Sequence, residues 1–162
     1  MRACCRQSGF SVLELIVVVG IIGIAASVGV PKLMMSLRRA NTKEAVDNVT
    51  RLFENVSDVY RHDKQLPPAT AMTPTASCCG HRGDKCSPDE ANWNGTWRTL
   101  KFALDDPHYY RYQYTVTATG FAVTAVGDLD CDGVLSKFEM SGTVGEGGMV
   151  TGSPMTLENE LE

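Results

Sequence analysis

The sequence predicts an α+β fold, in which one long amino-terminal helix lays its second half on a small antiparallel sheet. Three observations predict it. From Leu15 to Val30 the chain carries no charge at all. Beyond Leu37 it turns polar without losing helical period: Ala45, Val49, Leu52, Val56, Val59 and Tyr60 recur at three- and four-residue steps, while Arg38, Lys43, Asp47, Arg51 and Asp58 fill the other faces. Further on, a run alternating around Tyr110, Tyr112, Tyr114 and Val116 is followed, after Thr119-Gly120, by Phe121–Val126. Two β-rich runs split by a short glycine turn make a hairpin.

The first nine residues, MRACCRQSG, form a short basic segment that ends in glycine. Phe10-Ser-Val-Leu-Glu14 comes next, ahead of the uncharged stretch. About 20 helical residues span the hydrocarbon core of a bilayer, so residues 10–37 are long enough to cross one. The basic residues Arg2 and Arg6 keep the amino-terminal end on the cytoplasmic side. The rest of the chain is then expected outside the inner membrane, in contact with lipid only through this helix.

Glu14 is the anomaly of the segment. A carboxylate in an apolar helix costs on the order of 3 kcal/mol at the centre of a membrane, so such residues are usually partnered. A free amine created by cutting after Gly9 is an apt partner. Pairing between neighbouring chains is easier than pairing within one helix, and it would set the axial register of an assembly.

The motif Gly9-Phe10-Ser11-Val12-Leu13-Glu14 ahead of a long apolar helix resembles the type IV prepilin family. The resemblance implies cleavage between Gly9 and Phe10 by a prepilin peptidase and methylation of the new Phe10 amine. It also implies an inner-membrane assembly platform and polymerisation with copies or other pilins through residues 10–37. Pro31 stands where many members carry a helix-kinking proline; it removes one backbone hydrogen bond. Two simpler readings compete. A secretory signal peptide cut near Ala25-Ala26-Ser27 has the wrong shape, since Glu14 interrupts its apolar region. A plain single-span anchor has no use for Glu14 or Gly9.

Residues 38–63 continue the helix as an amphipathic stretch ending near Asp63, before Leu66-Pro67-Pro68. Residues 64–162 form the remaining domain. Positions 66–92 are rich in Pro, Thr, Ser and Gly and read as a long surface loop that needs a staple. Cys78, Cys79, Cys86 and Cys131 supply it: an even count in an exported domain suggests two disulfides. Adjacent Cys78 and Cys79 rarely pair, which leaves Cys78–Cys86 with Cys79–Cys131, or Cys78–Cys131 with Cys79–Cys86. The rival, a zinc site of Cys78, Cys79, His81 and Cys86, matches no closed zinc spacing. Trp93, Trp97, Leu100, Phe102 and Leu104 read as core anchors at the loop's end. A third strand is expected near Gly142–Val150, and a polar acidic tail from Thr151 to Glu162.

Between the hairpin and that strand lies Asp128-Leu-Asp130-Cys-Asp132-Gly133-Val134-Leu135-Ser136-Lys-Phe-Glu139, which fits the twelve-residue calcium loop at each diagnostic position. Asp128, Asp130 and Asp132 take positions one, three and five, and Gly133 the sharp turn at six. The Val134 carbonyl, Ser136 at nine and Glu139 at twelve complete the set. The context is not helix–loop–helix. A lone loop between a strand and a short helical turn suits a structural Ca2+ that rigidifies a connection, with an affinity of roughly 0.1 to 1 mM.

No phosphate loop, nucleophile elbow or dinucleotide fingerprint is present, and His62, His81 and His108 lack nucleophile neighbours in sequence. No enzyme is expected. The net charge is -4, with no Lys/Arg stripe, so no nucleic acid is expected either. The sequence therefore points to a structural subunit of a type IV pilus or related filament, inserted in the inner membrane and then assembled at the cell surface. The alternatives are a periplasmic pseudopilin of a type II secretion system and, from another class, a monomeric membrane-anchored calcium-binding module.

Overall fold

A computed structural model describes residues 10–161. The expected helix is present as one element, α1, Val12–Asp63, of 52 residues. It runs through Pro31 as one continuous helix. The chain divides into two compact units, one ending at Leu37 and the other beginning at Arg38. In the first, apolar side chains from Phe10 to Leu37 are exposed throughout.

The second unit is built on a sheet of five strands: β1 (Tyr110–Thr117), β2 (Gly120–Gly127), β3 (Ser136–Val144), β4 (Val150–Gly152) and β5 (Thr156–Glu158). The predicted hairpin is β1–β2, in register Tyr110 to Gly127 and Thr117 to Gly120. β3 pairs antiparallel with β2, and both short strands pair with β3: β4 at its carboxyl-terminal part, β5 near its start. The third strand thus starts at Ser136, earlier than its expected start at Gly142, and the tail supplies two further strands where none was expected.

Glycine is why that strand is weakly written in sequence. Gly142 on β3 and Gly152 on β4 are register partners. A Cβ at Gly142 would come within 2.6 Å of the Phe121 ring, and one at Gly152 within 2.8 Å of Phe53. The two glycines make room for aromatic rings that cover the sheet.

Of the predicted α1 stripe, Ala45, Val49, Leu52 and Val56 are fully buried and Val59 and Tyr60 half-buried, with Tyr110, Tyr112, Tyr114, Phe121, Val123, Ala125 and Phe138 in the same core. Strand alternation sends all three tyrosines of β1 to that face. Trp93, Trp97, Leu100 and Phe102 are buried as expected, while Leu104 is half-buried against them. Trp97 lies at the start of the short α2, Thr96–Thr99. Trp93 and Phe102 meet edge to face at 5.6 Å, and the Trp97 indole N–H donates to the Thr73 hydroxyl at 3.0 Å.

The loop at 66–92 guards a sheet edge. The even-numbered residues of β1 direct their backbone groups away from β2. Tyr112 exchanges hydrogen bonds with Thr73 (2.7 and 2.8 Å), and the Tyr114 carbonyl accepts from the Thr70 N–H at 2.8 Å. At Tyr110 the acceptor is a side chain, the Glu44 carboxylate at 3.4 Å, which also takes the Tyr109 N–H at 3.1 Å. An open edge invites intermolecular pairing; here it is closed by loop backbone and one helix carboxylate.

Candidate functional site

Two regions hold the predicted functional residues. The first is the amino-terminal stretch of α1. Phe10 is exposed just before the helix, and Glu14 lies in its first turn. Gly9, the other side of the expected cut, lies outside the described residues, as do Cys4 and Cys5. α1 is long and apolar enough to cross a membrane, and none of its most apolar window is buried. Pro31 has no N–H, so the Ser27 carbonyl loses its helical donor. The Ser27 hydroxyl instead donates one turn back, to the Ile24 carbonyl at 2.8 Å. An exposed apolar surface this large marks an interaction with lipid or protein.

The second region is the connection from β2 to β3. Carboxylate oxygens of Asp128, Asp130 and Asp132 lie within 4.8 Å of one another. Local hydrogen bonds hold them. Asp128 Oδ2 accepts from the Gly133 N–H at 3.0 Å, and Asp132 Oδ1 from the Val134 N–H at 2.7 Å. Gly133 takes φ +94° and Cys131 φ +59°, the tight turns of the loop. Asp130 Oδ2 receives Arg38 of α1 at 2.7 Å, and Arg38 also donates to the Leu161 carbonyl at 3.3 Å.

Position twelve does not join this cluster, which corrects the sequence expectation. The chain leaves the loop as a strand, not as a helical turn. Each residue of a strand rises about 3.3 Å, against 1.5 Å in a helix, and successive side chains alternate faces. Glu139 is thereby carried to the register partner of Thr124. Its carboxylate accepts from the Thr124 hydroxyl at 3.3 Å and pairs with Lys137 at 2.9 Å. Ser136 is committed too: it is fully buried, and its hydroxyl donates to the Gly127 carbonyl at 3.1 Å. Val134 enters the local bonding through its N–H.

The remaining set still fits a hard cation. Asp128 Oδ1 is buried with no hydrogen-bond partner. A buried carboxylate oxygen without a donor is costly, and a bound cation is one way to satisfy it. Three carboxylates of a tight loop are oxygen donors of the kind Ca2+ takes. The zinc rival does not fit. The bonds are Cys78–Cys86 and Cys79–Cys131, so none of the four sulfurs is free as a thiolate. This is the first of the two connectivities the sequence left open.

Sequence reasoning missed two charged groups. In the helical period Arg38 is simply one of the polar residues off the apolar stripe, yet it holds Asp130. Glu44 directly precedes the first buried residue of the stripe, and the only hint of its role is that adjacency. Burial raises its carboxyl above the ordinary value of 4.5, against the lowering effect of the Tyr109 and Tyr110 N–H groups, the Tyr112 hydroxyl and Lys85.

Comparison with known proteins bears on the first region and on the family. Residues 4–30 match the prokaryotic N-terminal methylation motif. Over 114 residues the chain is 31% identical to type II secretion system core protein G of Pseudomonas aeruginosa, covering 70% of this chain and 77% of that protein. This chain belongs to the type II secretion system core protein G family. Similarity is higher but shorter elsewhere in the family. The Escherichia coli (strain K12) protein is 43% identical over 70 residues, 43% of this chain and 48% of that one. The Aeromonas hydrophila protein is 45% identical over 65 residues, 40% and 45% respectively. The chain thus spans about half the length of these two relatives. No solved structure matches significantly. Proteins of this family are pilin-like structural subunits.

Proposed function

We propose that the chain is the major pseudopilin of a type II secretion system, the alternative reading of the sequence, in place of a surface-pilus subunit. The observation that carries this is the likeness to a core protein G across 77% of that relative's length. In this account the prepilin peptidase cuts between Gly9 and Phe10 and the new Phe10 amine is methylated. Residues 10–37 hold the subunit in the inner membrane with the remaining domain in the periplasm. On the assembly platform, each incoming chain sets its amine against the Glu14 of its neighbour. The exposed apolar surface of residues 10–37 is then covered by copies of itself and by other pilins, so leaving the lipid exposes little of it to water.

The same account gives the β2–β3 loop a Ca2+. Asp128, Asp130 and Asp132 would hold it, with loop carbonyls or water completing the shell. Bound there, the ion offsets repulsion among the carboxylates and fixes the connection. Its role is structural: the ion stiffens the loop that the Cys79–Cys131 bond ties to the 66–92 segment.

Deleting the gene in the bacterium that carries it tests the reading. Secreted enzymes should accumulate in the periplasm, and a plasmid copy should restore their release. Normal secretion together with loss of sheared surface fibres would return the chain to the pilus reading.

A further inference from the structure

We propose that the Cys79–Cys131 disulfide is a reducible clasp on the acidic loop, and that its redox state and the loop's affinity for a divalent cation control one another. The inference rests on the cation reading given above. Cys131 lies between Asp130 and Asp132, so the crosslink is anchored inside the carboxylate cluster itself. Its partner, Cys79, comes from the 66–92 segment, 52 positions away in sequence. Cys79 Sγ lies 3.4 Å and Cys131 Sγ 3.8 Å from the Asp128 carbonyl oxygen. Asp128 also carries the buried, unpartnered Oδ1. The bond thus sits against the one carboxylate that most needs a counter-charge.

The two disulfides differ in access. Cys78 and Cys86 are 6% and 4% exposed, which shelters their bond. Cys131 is exposed and Cys79 half-buried. Thiolate attack requires access to a sulfur, so an external dithiol reaches Cys131 first. Its thiolate attacks Cys131 Sγ, the S–S bond breaks, and Cys79 leaves as a thiolate that takes up a proton. The second thiol of the reagent then resolves the mixed disulfide and frees Cys131. Overall, two electrons and two protons pass from the dithiol to the protein, and the dithiol becomes a disulfide.

Opening the clasp leaves the loop held by its own hydrogen bonds and by Arg38. Cation binding must then also order backbone that the crosslink had held, a cost of about one residue's conformational entropy, or roughly a tenfold loss of affinity. Linkage is reciprocal. A cation that binds the oxidised loop about tenfold tighter makes the bond harder to reduce, by about 30 mV for this two-electron couple.

The test uses the full chain in detergent micelles and Ca2+ alone as the probe. Calorimetric titration of the oxidised chain, of the chain reduced at Cys79–Cys131, and of Cys79→Ser/Cys131→Ser gives three dissociation constants. The last two should be about tenfold weaker than the first. Equilibration against a dithiol couple, read by alkylation and mass spectrometry, needs no variant. Cys79–Cys131 should open before Cys78–Cys86, at a potential about 30 mV more negative in saturating Ca2+. Equal affinities, or a potential indifferent to Ca2+, would overturn the coupling while leaving the cation reading intact. Absence of Ca2+ binding to the oxidised chain would sink the cation reading, and the coupling with it. Opening of Cys78–Cys86 first would refute the assignment of the clasp.

Discussion

Replacing Glu44 by alanine probes how the fold closes the outer edge of β1. The carboxylate accepts the Tyr109 N–H at 3.1 and 3.2 Å, the Tyr110 N–H at 3.4 Å and the Tyr112 hydroxyl at 3.4 Å. Alanine removes these acceptors together. Tyr110 is fully buried, so its N–H gains no water in exchange. A buried donor left unpaired costs about 1–3 kcal/mol. With the weaker Tyr109 contribution added, and the desolvation cost of the carboxylate recovered, the loss should be about 2–3 kcal/mol. That is a large part of the ~5–15 kcal/mol typical of a domain. Glu44→Gln keeps one oxygen and should lose about 1 kcal/mol. The pH dependence has a definite sign. Because burial raises the Glu44 carboxyl above 4.5, the folded chain binds this proton more tightly than the unfolded chain. The resulting stability is complete below pH 4.5 and is lost as pH rises through the folded value. The difference between wild type and Glu44→Gln should therefore shrink with rising pH in the window just above 4.5. Urea unfolding of the full chain in micelles, followed by fluorescence of the buried Trp93 and Trp97, measures both effects. A loss under about 0.5 kcal/mol for alanine, the range of ordinary surface changes, would refute the edge-closing role.

Leu52→Ala removes a fully buried side chain from the face of α1 that meets the sheet, and the same urea series should show a loss of about 2–5 kcal/mol. Chelation should lower the melting temperature of the wild-type domain, and Asp128→Asn should abolish that response; saturating Ca2+ at 100 times its dissociation constant corresponds to about 2.7 kcal/mol. Glu14→Ala should leave membrane insertion intact yet reduce assembly, read as the yield of sedimentable polymer from cells; normal yield would remove the proposed pairing with a neighbour's amine.

The parts of the fold written in local period were legible in the sequence. Repetition of Ala45, Val49, Leu52 and Val56 is a property of one helix face, and the Tyr110, Tyr112, Tyr114 alternation belongs to one strand, so neither needs knowledge of partners. The disulfide pairing was narrowed but not chosen, because it depends on where the 66–92 segment meets β1. The same tertiary dependence hid β4 and β5, whose short runs gain their strand conformation from pairing with β3. Gly142 and Gly152 carry no strand signal of their own, and their place in the sheet makes sense only with Phe121 and Phe53 packed over them. In the acidic loop, the three aspartates were legible because their spacing is local. Glu139 misled for the opposite reason: a twelve-residue pattern assumes a helical exit, and β3 replaces that exit with an extended one. Arg38 and Glu44 were invisible as site residues because each acts on a group more than 60 positions away.

The mass of the chain recovered from cells that possess the prepilin peptidase tests the central claim most directly. The account predicts a chain beginning at Phe10 with one methyl group on its amine, and a precursor retaining residues 1–9 when the peptidase gene is deleted. A chain that keeps those nine residues despite the enzyme, or that starts near Ser27, would contradict it.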